Sequence, residues 1–451
     1  MTSFERLHGS GAGFLCWFTV LVIVAGLAVR IAVGALLTFS DDVQSWALTI
    51  SNIEAGGGLY GLAGYNYTPV WGYILAFIDL VLEPFGVSDF GERVLEVLAV
   101  EDGDAVAYTI VPTVAFALMV KVALYVCDLA LAYLTWRLVM DRTGDRRKSN
   151  WAFALVFLCT VTIVSSGVIG MFDNIGATLT LLAVMLVMKD RCALGGMCFA
   201  AAALLKIFPA FLFFVLVGYV LRRHREDGTG PRRVAAAAVG ALAVVAVVLL
   251  PSALEGDLGS VFTMFTSRAG SMGGDYGEVI SVLTIAAYAG ILVVSAYFGR
   301  CVHRSDYEDL DGHFLTMCAL TLAVLFMFPS NPQYLVLLVP FLVVQMQTED
   351  ARYRVPYALI SVGAPLMAVN RGGVYLFSLG AFTGLIDIGT VTSFTEWCNT
   401  AVLGGLTPMD LMTGFWFVEF AGIVLILLTR RRIMKESGTW RAPENGHRTG
   451  N

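Results

Sequence analysis

The chain has 451 residues, 57% of them hydrophobic and only 14% charged, where a soluble protein of this size carries about 25% charged residues. With a mean hydropathy of +0.76 and apolar stretches from end to end, it reads as an all-α polytopic membrane protein rather than a tethered soluble domain. The net charge of −6 speaks against a nucleic-acid partner. The cysteines lie mostly inside apolar runs and show no CxxC spacing, so neither a disulfide framework nor a zinc site is indicated.

The N-terminus MTSFERLHGS carries no cleavage signal, and the run from Gly11 to Leu37 is long enough to span and is read as retained. Arg30, late in that run, is expected to snorkel to the outer interface, with a buried functional charge as the rarer reading. A polar stretch follows, Ser40 to Tyr67, which opens on Asp41 and Asp42. It continues through a helix-like segment (Trp46, Leu48, Ile50, Ile53), a flexible Gly56-Gly57-Gly58 and an aromatic cluster closing on Pro69. Thr68 to Leu82 reads as a short span, and Glu83 to Asp104 as an acidic loop containing Arg93.

Ala105 to Met140 is too long for one crossing, since it would reach roughly 54 Å against a core of about 30 Å. Two short spans turning at Lys121 are preferred over one long tilted helix, which gives the wrong parity for a cytoplasmic N-terminus. The next loop, DRTGDRRKSN, is basic and therefore cytoplasmic. Trp151–Val168 and Asn174–Met188 form a pair turning at GVIGMFD. Ala193–Leu221 goes out and returns around Lys206 to Pro209, where the proline starts the return helix.

Val234–Leu250 crosses out, Pro251 to Glu278 is external, and Val279–Phe298 returns. Phe314–Phe328 and Tyr334–Val344 turn at PSNPQY. Pro356–Ala368 and Leu411–Leu428 bracket an outer, re-entrant stretch from Arg371 to Asp410. The total is about fourteen spans (range 11–14) with both termini cytoplasmic and a polar tail after Met434.

This topology gathers Asp41, Asp42, Tyr65, Tyr67, Lys121, Asp173, Lys206, Arg268, Asp275, Glu278, Asn331, Gln333 and Tyr334 on the outer face. Every histidine (8, 224, 303, 313, 447) falls at or beyond the inner face. Chemistry outside therefore uses carboxylates as acid or base, and a histidine-ligated metal is not indicated. Asp128 lies inside the membrane and needs a partner; a structural hydrogen-bonding role comes before catalysis. Taken singly, the loop carboxylates read as solvated, and Lys121 and Lys206 as interfacial anchors. Together, cations beside carboxylates suit a substrate with a phosphate and a hydroxyl to be activated.

An aspartate just after the first span, then YNYTPVWGY, then FDN, a lysine-proline turn in KIFP and a late SNPQY form an ordered set. In this order the sequence resembles the GT-C-fold glycosyltransferases that use polyprenyl-phosphate sugars, particularly the multi-pass mannosyltransferase-like members. The first outer loop, DDVQSWALTISNIEAGGGLYGLAGYNYTPVWGY, follows the family's pattern with Thr68 where the first proline often stands. The family's WGQxD turn stands here as IGMFD, ending on Asp173. Its KP turn stands as KIFP, with two residues between Lys206 and Pro209. The resemblance is best over residues 12–222.

The resemblance implies an inverting sugar transfer, with mannose first, on the outer face of the membrane. The donor is a polyprenyl-phosphate sugar and the acceptor a hydroxyl of a glycolipid, glycan or protein. Asp42 is the implied base because of its spacing to Trp46, and Asp41 is second. Lys206 and Arg268, with Lys121, would neutralise the departing phosphate. Asp173 would position acceptor or base. Tyr65, Tyr67 and Trp71 would line the sugar site, and Glu278, Gln333 and Tyr334 complete the substrate candidates. No cofactor is required; the acidic pair could hold a divalent metal, although none is indicated. The division that follows is a GT-C-like membrane module over 1–222 with its outer loop 38–67. A variable transmembrane module over 223–434, with outer segments 251–278 and 371–410, precedes a cytoplasmic tail, 435–451. A multi-pass transporter or lipid-linked sugar flippase is the alternative, since Asp128 and broken helices suit it too. Against it, no inverted repeat is visible and the charges gather at one face. Within the enzyme class, another polyprenyl-linked sugar, such as glucose or arabinose, is the runner-up.

Overall fold

Apolar runs broken by glycine and proline fold into a helical bundle in the computed structural model. It describes residues 14–60, 65, 67–82, 84, 93–96, 108–111, 113–261, 277–328, 331–372 and 376–436. The first helix, α1 (Trp17–Leu36), is followed by α2 (Ser40–Glu54) and α3 (Pro69–Leu82). In α2 the buried residues Val43, Trp46, Ala47 and Ile50 recur at helical spacing and form one apolar stripe. Two short antiparallel strands, β1 (Arg93–Glu96) and β2 (Tyr108–Val111), interrupt the otherwise all-α architecture. Much of the acidic loop around β1 lies outside the described residues.

The helix α4 (Val114–Thr143) is continuous, with Thr113 capping its start and Gly144 in the left-handed conformation ending it. The expected hairpin at Lys121 is therefore wrong. Lys121 sits in the third turn of one helix about 45 Å long, and its 0% exposed side chain donates to the carbonyls of Gly34 (3.0 Å) and Leu37 (2.6 Å). The carbonyls at the end of α1 satisfy the ammonium in place of water. Gly34 permits this approach, because a Cβ there would lie 2.3 Å from the Tyr125 hydroxyl oxygen.

Next come α5 (Arg146–Phe157), α6 (Thr160–Ile163) and a π-helical turn (Val164–Ile169) that ends at Gly170, φ 76°. Then follow α7 (Asp173–Met188), α8 (Cys192–Leu205), a 3-10 turn (Phe208–Leu212), α9 (Phe213–Arg223) and α10 (Gly230–Glu255). The last runs through Pro251, which was expected to begin an external segment, and stops at Gly256. The remaining helices are α11 (Gly277–His303), α12 (Leu310–Phe326), α13 (Val339–Thr348), α14 (Arg354–Gly372), α15 (Ser378–Phe382), α16 (Ile388–Thr400) and α17 (Pro408–Glu436). A 3-10 turn, Pro332–Leu337, leads into α13.

Among the described residues, six helical segments are long and apolar enough to cross a membrane. Side-chain contacts separate two ends of the bundle. At one, Lys121 reaches the end of α1, Lys206 reaches Asp173, and the Thr38 amide donates to Leu376 O at 2.9 Å. At the other, Arg142 binds Asp309, Arg223 binds Asp190 and Asp311, and Arg430 binds Glu349. Arg146, Arg147, Lys148, Lys189, Arg191, Arg431 and Arg432 belong to this basic end, where the loops and helix termini that carry them meet. Followed between these ends, the described chain runs from one to the other along α1, α4, α5 with the π turn, and α7 to α14 in succession, then along α17. About fourteen crossings (range 11–14) were expected, and these twelve passes lie inside that range. Lys121 accounts for one of the two lost, and α3 for the other. Helix α3 begins at the same end as α4, and no described helix between the two returns the chain.

Arg30 does not snorkel. Its Nε donates to Asp128 Oδ2 at 2.8 Å, its Nη1 to Gly26 O at 3.2 Å and its Nη2 to Thr162 Oγ1 at 3.3 Å, with both charged side chains fully buried. Ser166 Oγ donates to Asp128 at 2.6 Å, and Asn174 Nδ2 completes the carboxylate's partners. Asp128 thus finds the partner its position demanded, and the network ties α1, α4, the π turn and α7 together.

Candidate active site

The first turn of α7 presents two neighbouring residues to different partners. Asn174 turns into the buried network, while Asp173 faces the end of α8. There the chain leaves the helix at Lys206, whose backbone is extended (φ −150°, ψ 144°) before the 3-10 turn containing Pro209. This break releases the lysine side chain toward Asp173, and Nζ lies 2.7 Å from each carboxylate oxygen. Both side chains are buried. The ammonium also stands 4.3 Å from the Tyr334 ring centre and 5.2 Å from that of Phe172, a cation–π arrangement on two sides. Lys206 and Asp173 line a small pocket of about 20 Å³ with Phe172, Pro209 and Tyr334.

A second, larger cleft, of about 160 Å³, adjoins it. Asp42 lines it from the first turn of α2, where a helix N-terminus favours a carboxylate. Opposite stand Asn331, Gln333 and Tyr334 from the SNPQY segment, with Tyr67, Met171 and Ala368 around them. Tyr334 lines both cavities and is held by Asn331 Nδ2 at 3.2 Å. Gln333 is only 5% exposed, and its Oε1 has no hydrogen-bond partner among the described residues. A buried carbonyl oxygen left this way costs about 1–3 kcal/mol unless a ligand or water satisfies it.

The expected sugar-site aromatics form a buried wall. Trp71 stacks on Phe172 at 4.9 Å, and Trp46 and Tyr67 meet the same ring at 5.8 and 5.0 Å. Tyr65 lies behind them, donating to Thr68 O at 2.8 Å and accepting from the Gly72 amide at 2.7 Å. Burial holds its phenol well above the ordinary tyrosine range. Thr68 Oγ1 donates to Leu204 O and fastens this loop beside Lys206. Gly170, left-handed at φ 76°, lets the turn before Met171 pass close to Val43 and Lys121.

The structure thus brings Asp42, Tyr67, Asp173, Lys206, Gln333 and Tyr334 to one place, with Tyr65 and Trp71 in the wall. Lys121 is not in the cleft, being buried against α1. Asp41 belongs to the first turn of α2 and Glu278 to that of α11, and neither side chain is described; Arg268 and Asp275 lie outside the described residues. Phe172, which joins the aromatic wall to Lys206, was not singled out in the sequence, although it stands beside Asp173 in the IGMFD turn. The described histidines, His224, His303 and His313, all sit at the basic end. Among the described residues no group of three or more His, Cys, Asp or Glu is placed to hold a metal ion.

A cleft lined by a carboxylate, with a cation in the adjoining pocket, has the parts of a group-transfer site. Residues 105–329 match the family model of glycosyltransferase family 87, and the chain is a membrane glycosyltransferase of the GT-C type. No match is found among the curated proteins.

Proposed function

We propose that the enzyme is an inverting transferase that moves a sugar, mannose first, from a polyprenyl-phosphate donor to a hydroxyl of a glycolipid, glycan or protein. Asp42 removes the acceptor's proton, and the freed oxygen attacks the anomeric carbon as its bond to phosphate breaks. The phosphate leaves with the bonding electrons. Its conjugate acid is strong, so no general acid is needed, and the reaction calls for no resident metal. Lys206 receives the phosphate charge, exchanging its bond to Asp173 for one to the donor, and Asp173 is then available to orient the acceptor. Lys121 drops out of the donor set because its ammonium is engaged by two carbonyls. Arg268 and Glu278 keep their proposed substrate roles, and Asp41 stays second to Asp42.

The observation that carries this reading is Tyr334, which lines both the Asp42 cleft and the Lys206 pocket. Base and phosphate site therefore lie on either side of a single ring, where a sugar would bridge them. The site end is assigned to the outer face because the arginines and lysines of the loops gather at the opposite end, as in cytoplasmic loops. Both termini then lie inside, and the product belongs to the cell envelope.

The test is transfer by purified protein in detergent, using labelled polyprenyl-phosphate mannose, glucose or arabinose with a membrane lipid extract. One donor should be consumed with inversion at the anomeric carbon. Consumption of none of them, by folded protein and with varied acceptors, would sink the donor assignment.

A further inference from the structure

The segment before α17 carries an apolar surface that no step above uses. Helix α16 begins after Asp387, whose carboxylate accepts from the Thr390 amide at 2.8 Å. At about 100° per residue its side chains fall into three sectors. Val391 and Cys398 are buried in the fold, while Ser393, Glu396 and Thr400 form an exposed polar side. Between these sectors lie Phe394 and Trp397, their ring centres 6.1 Å apart and the rings 42% and 50% exposed. Thr390 shares that sector and gives its hydroxyl to Asp387. The apolar surface continues past the helix. Gly404 and Gly405, left-handed at φ 64° and 92°, close a tight turn in which Leu403 and Leu406 exchange backbone hydrogen bonds of 2.7 and 3.3 Å. The turn presents Val402, Leu403 and Leu406, which are 49–69% exposed.

This surface belongs to the site end of the bundle. Just before it, Gly380 of α15 packs so closely on α1 that a Cβ there would lie 2.9 Å from Leu36 O. Just after it, α17 leaves for the basic end, its start fixed by the Thr407 amide and hydroxyl on Asp410 at 2.9 and 2.8 Å. The apolar run Leu411–Leu428 is about 27 Å long as a helix, close to a hydrocarbon core of about 30 Å. The membrane boundary on the site side therefore falls near Leu411, directly after the turn. We infer that α16 and the 402–406 turn form an interfacial foot seated on the leaflet at the site end. Phe394, Trp397, Val402, Leu403 and Leu406 enter the headgroup boundary, and Glu396 faces water. The occupant is lipid because the surface runs on into α17, where Leu411 and Phe417 are exposed along a membrane span. Trp and Phe beside a polar helix face suit that depth. The foot holds α15 against α1 beside Thr38, just before the helix that carries Asp42.

The experiment places a nitrobenzoxadiazole label at Leu403→Cys or Glu396→Cys of the full chain, with labelled wild type as background for the native cysteines. The protein is reconstituted in vesicles of phosphatidylethanolamine and phosphatidylglycerol. Elution and unfolding temperature matching wild type show that each variant folds. A nitroxide-bearing lipid should quench the label at 403 at least threefold more than the label at 396, and iodide should do the reverse. Equal iodide quenching at the two positions, or stronger quenching at 403, overturns the proposal and leaves a solvated loop. A label at 403 shielded from both quenchers also overturns it, because a second copy of the chain then covers the surface.

Discussion

Two buried ion pairs meet at neighbouring residues of α7, Arg30–Asp128 through Asn174 and Lys206–Asp173 through Asp173 itself, and they serve different ends. Arg30–Asp128 is saturated: the guanidinium also bonds Gly26 O and Thr162, and the carboxylate also bonds Ser166 and Asn174. It lines none of the cavities described above. Lys206 spends its described hydrogen bonds on Asp173 alone, beneath two aromatic rings and beside a pocket. Burying a charge is costly unless its hydrogen-bonding capacity is met. The saturated pair meets that cost within the fold and serves as a structural tie. The pair at the pocket keeps capacity for another anion. Lys121 belongs with the first kind, because its ammonium is engaged by carbonyls on the neighbouring helix.

The contrast breaks most visibly at the chemistry. Asp42→Asn should lower turnover by about 10²–10⁴-fold, the usual worth of a general base, while donor binding and the unfolding temperature stay near wild type. Next comes the saturated pair. Arg30→Ala leaves Asp128 buried and uncompensated and should cost about 3–5 kcal/mol, read as loss of folded protein during thermal or denaturant unfolding in detergent. Lys206→Ala should behave differently, weakening donor binding by about tenfold or more, equivalent to about 1.4 kcal/mol, with a smaller loss of stability because the pocket can admit water beside Asp173. If Arg30→Ala and Lys206→Ala had the same effects on folding and donor binding, the distinction would be lost. Gln333→Ala should raise KM for the acceptor or donor a few-fold with little change in stability, since its Oε1 has no described protein partner to lose.

The smallest effect concerns pH. The Arg142 guanidinium beside Asp309 holds that carboxyl below the ordinary range. A depressed carboxyl contributes stability above its unfolded value, near pH 4, and loses that contribution as pH falls through the folded value. Asp309→Asn should therefore flatten the acid limb of the stability profile and leave neutral transfer activity unchanged.

What was legible in the sequence sits at helix ends. Asp42, Asp173, Lys206, Gln333 and Tyr334 all lie where an apolar run stops, so turn residues and motif order marked them. The crossings around GVIGMFD, KIFP and PSNPQY follow the same signals. Lys121 was misread for a physical reason: a charge inside an apolar run looks like a turn unless its acceptors are known, and those acceptors are carbonyls on α1. Arg30 and Asp128 are 98 residues apart, a pairing that no local period records. The junction formed by Phe172 and Tyr334 likewise exists only once α7 and the SNPQY segment pack together.

The central claim is that base and phosphate site flank Tyr334 in one transfer centre. The most direct measurement is single-turnover transfer from labelled polyprenyl-phosphate mannose by purified wild type, Asp42→Asn and Lys206→Ala across donor concentrations. The account predicts rapid transfer by wild type, donor binding without transfer by Asp42→Asn, and transfer by Lys206→Ala only at raised donor concentration. Near-normal transfer by Asp42→Asn, or an unchanged donor requirement in Lys206→Ala, would contradict it.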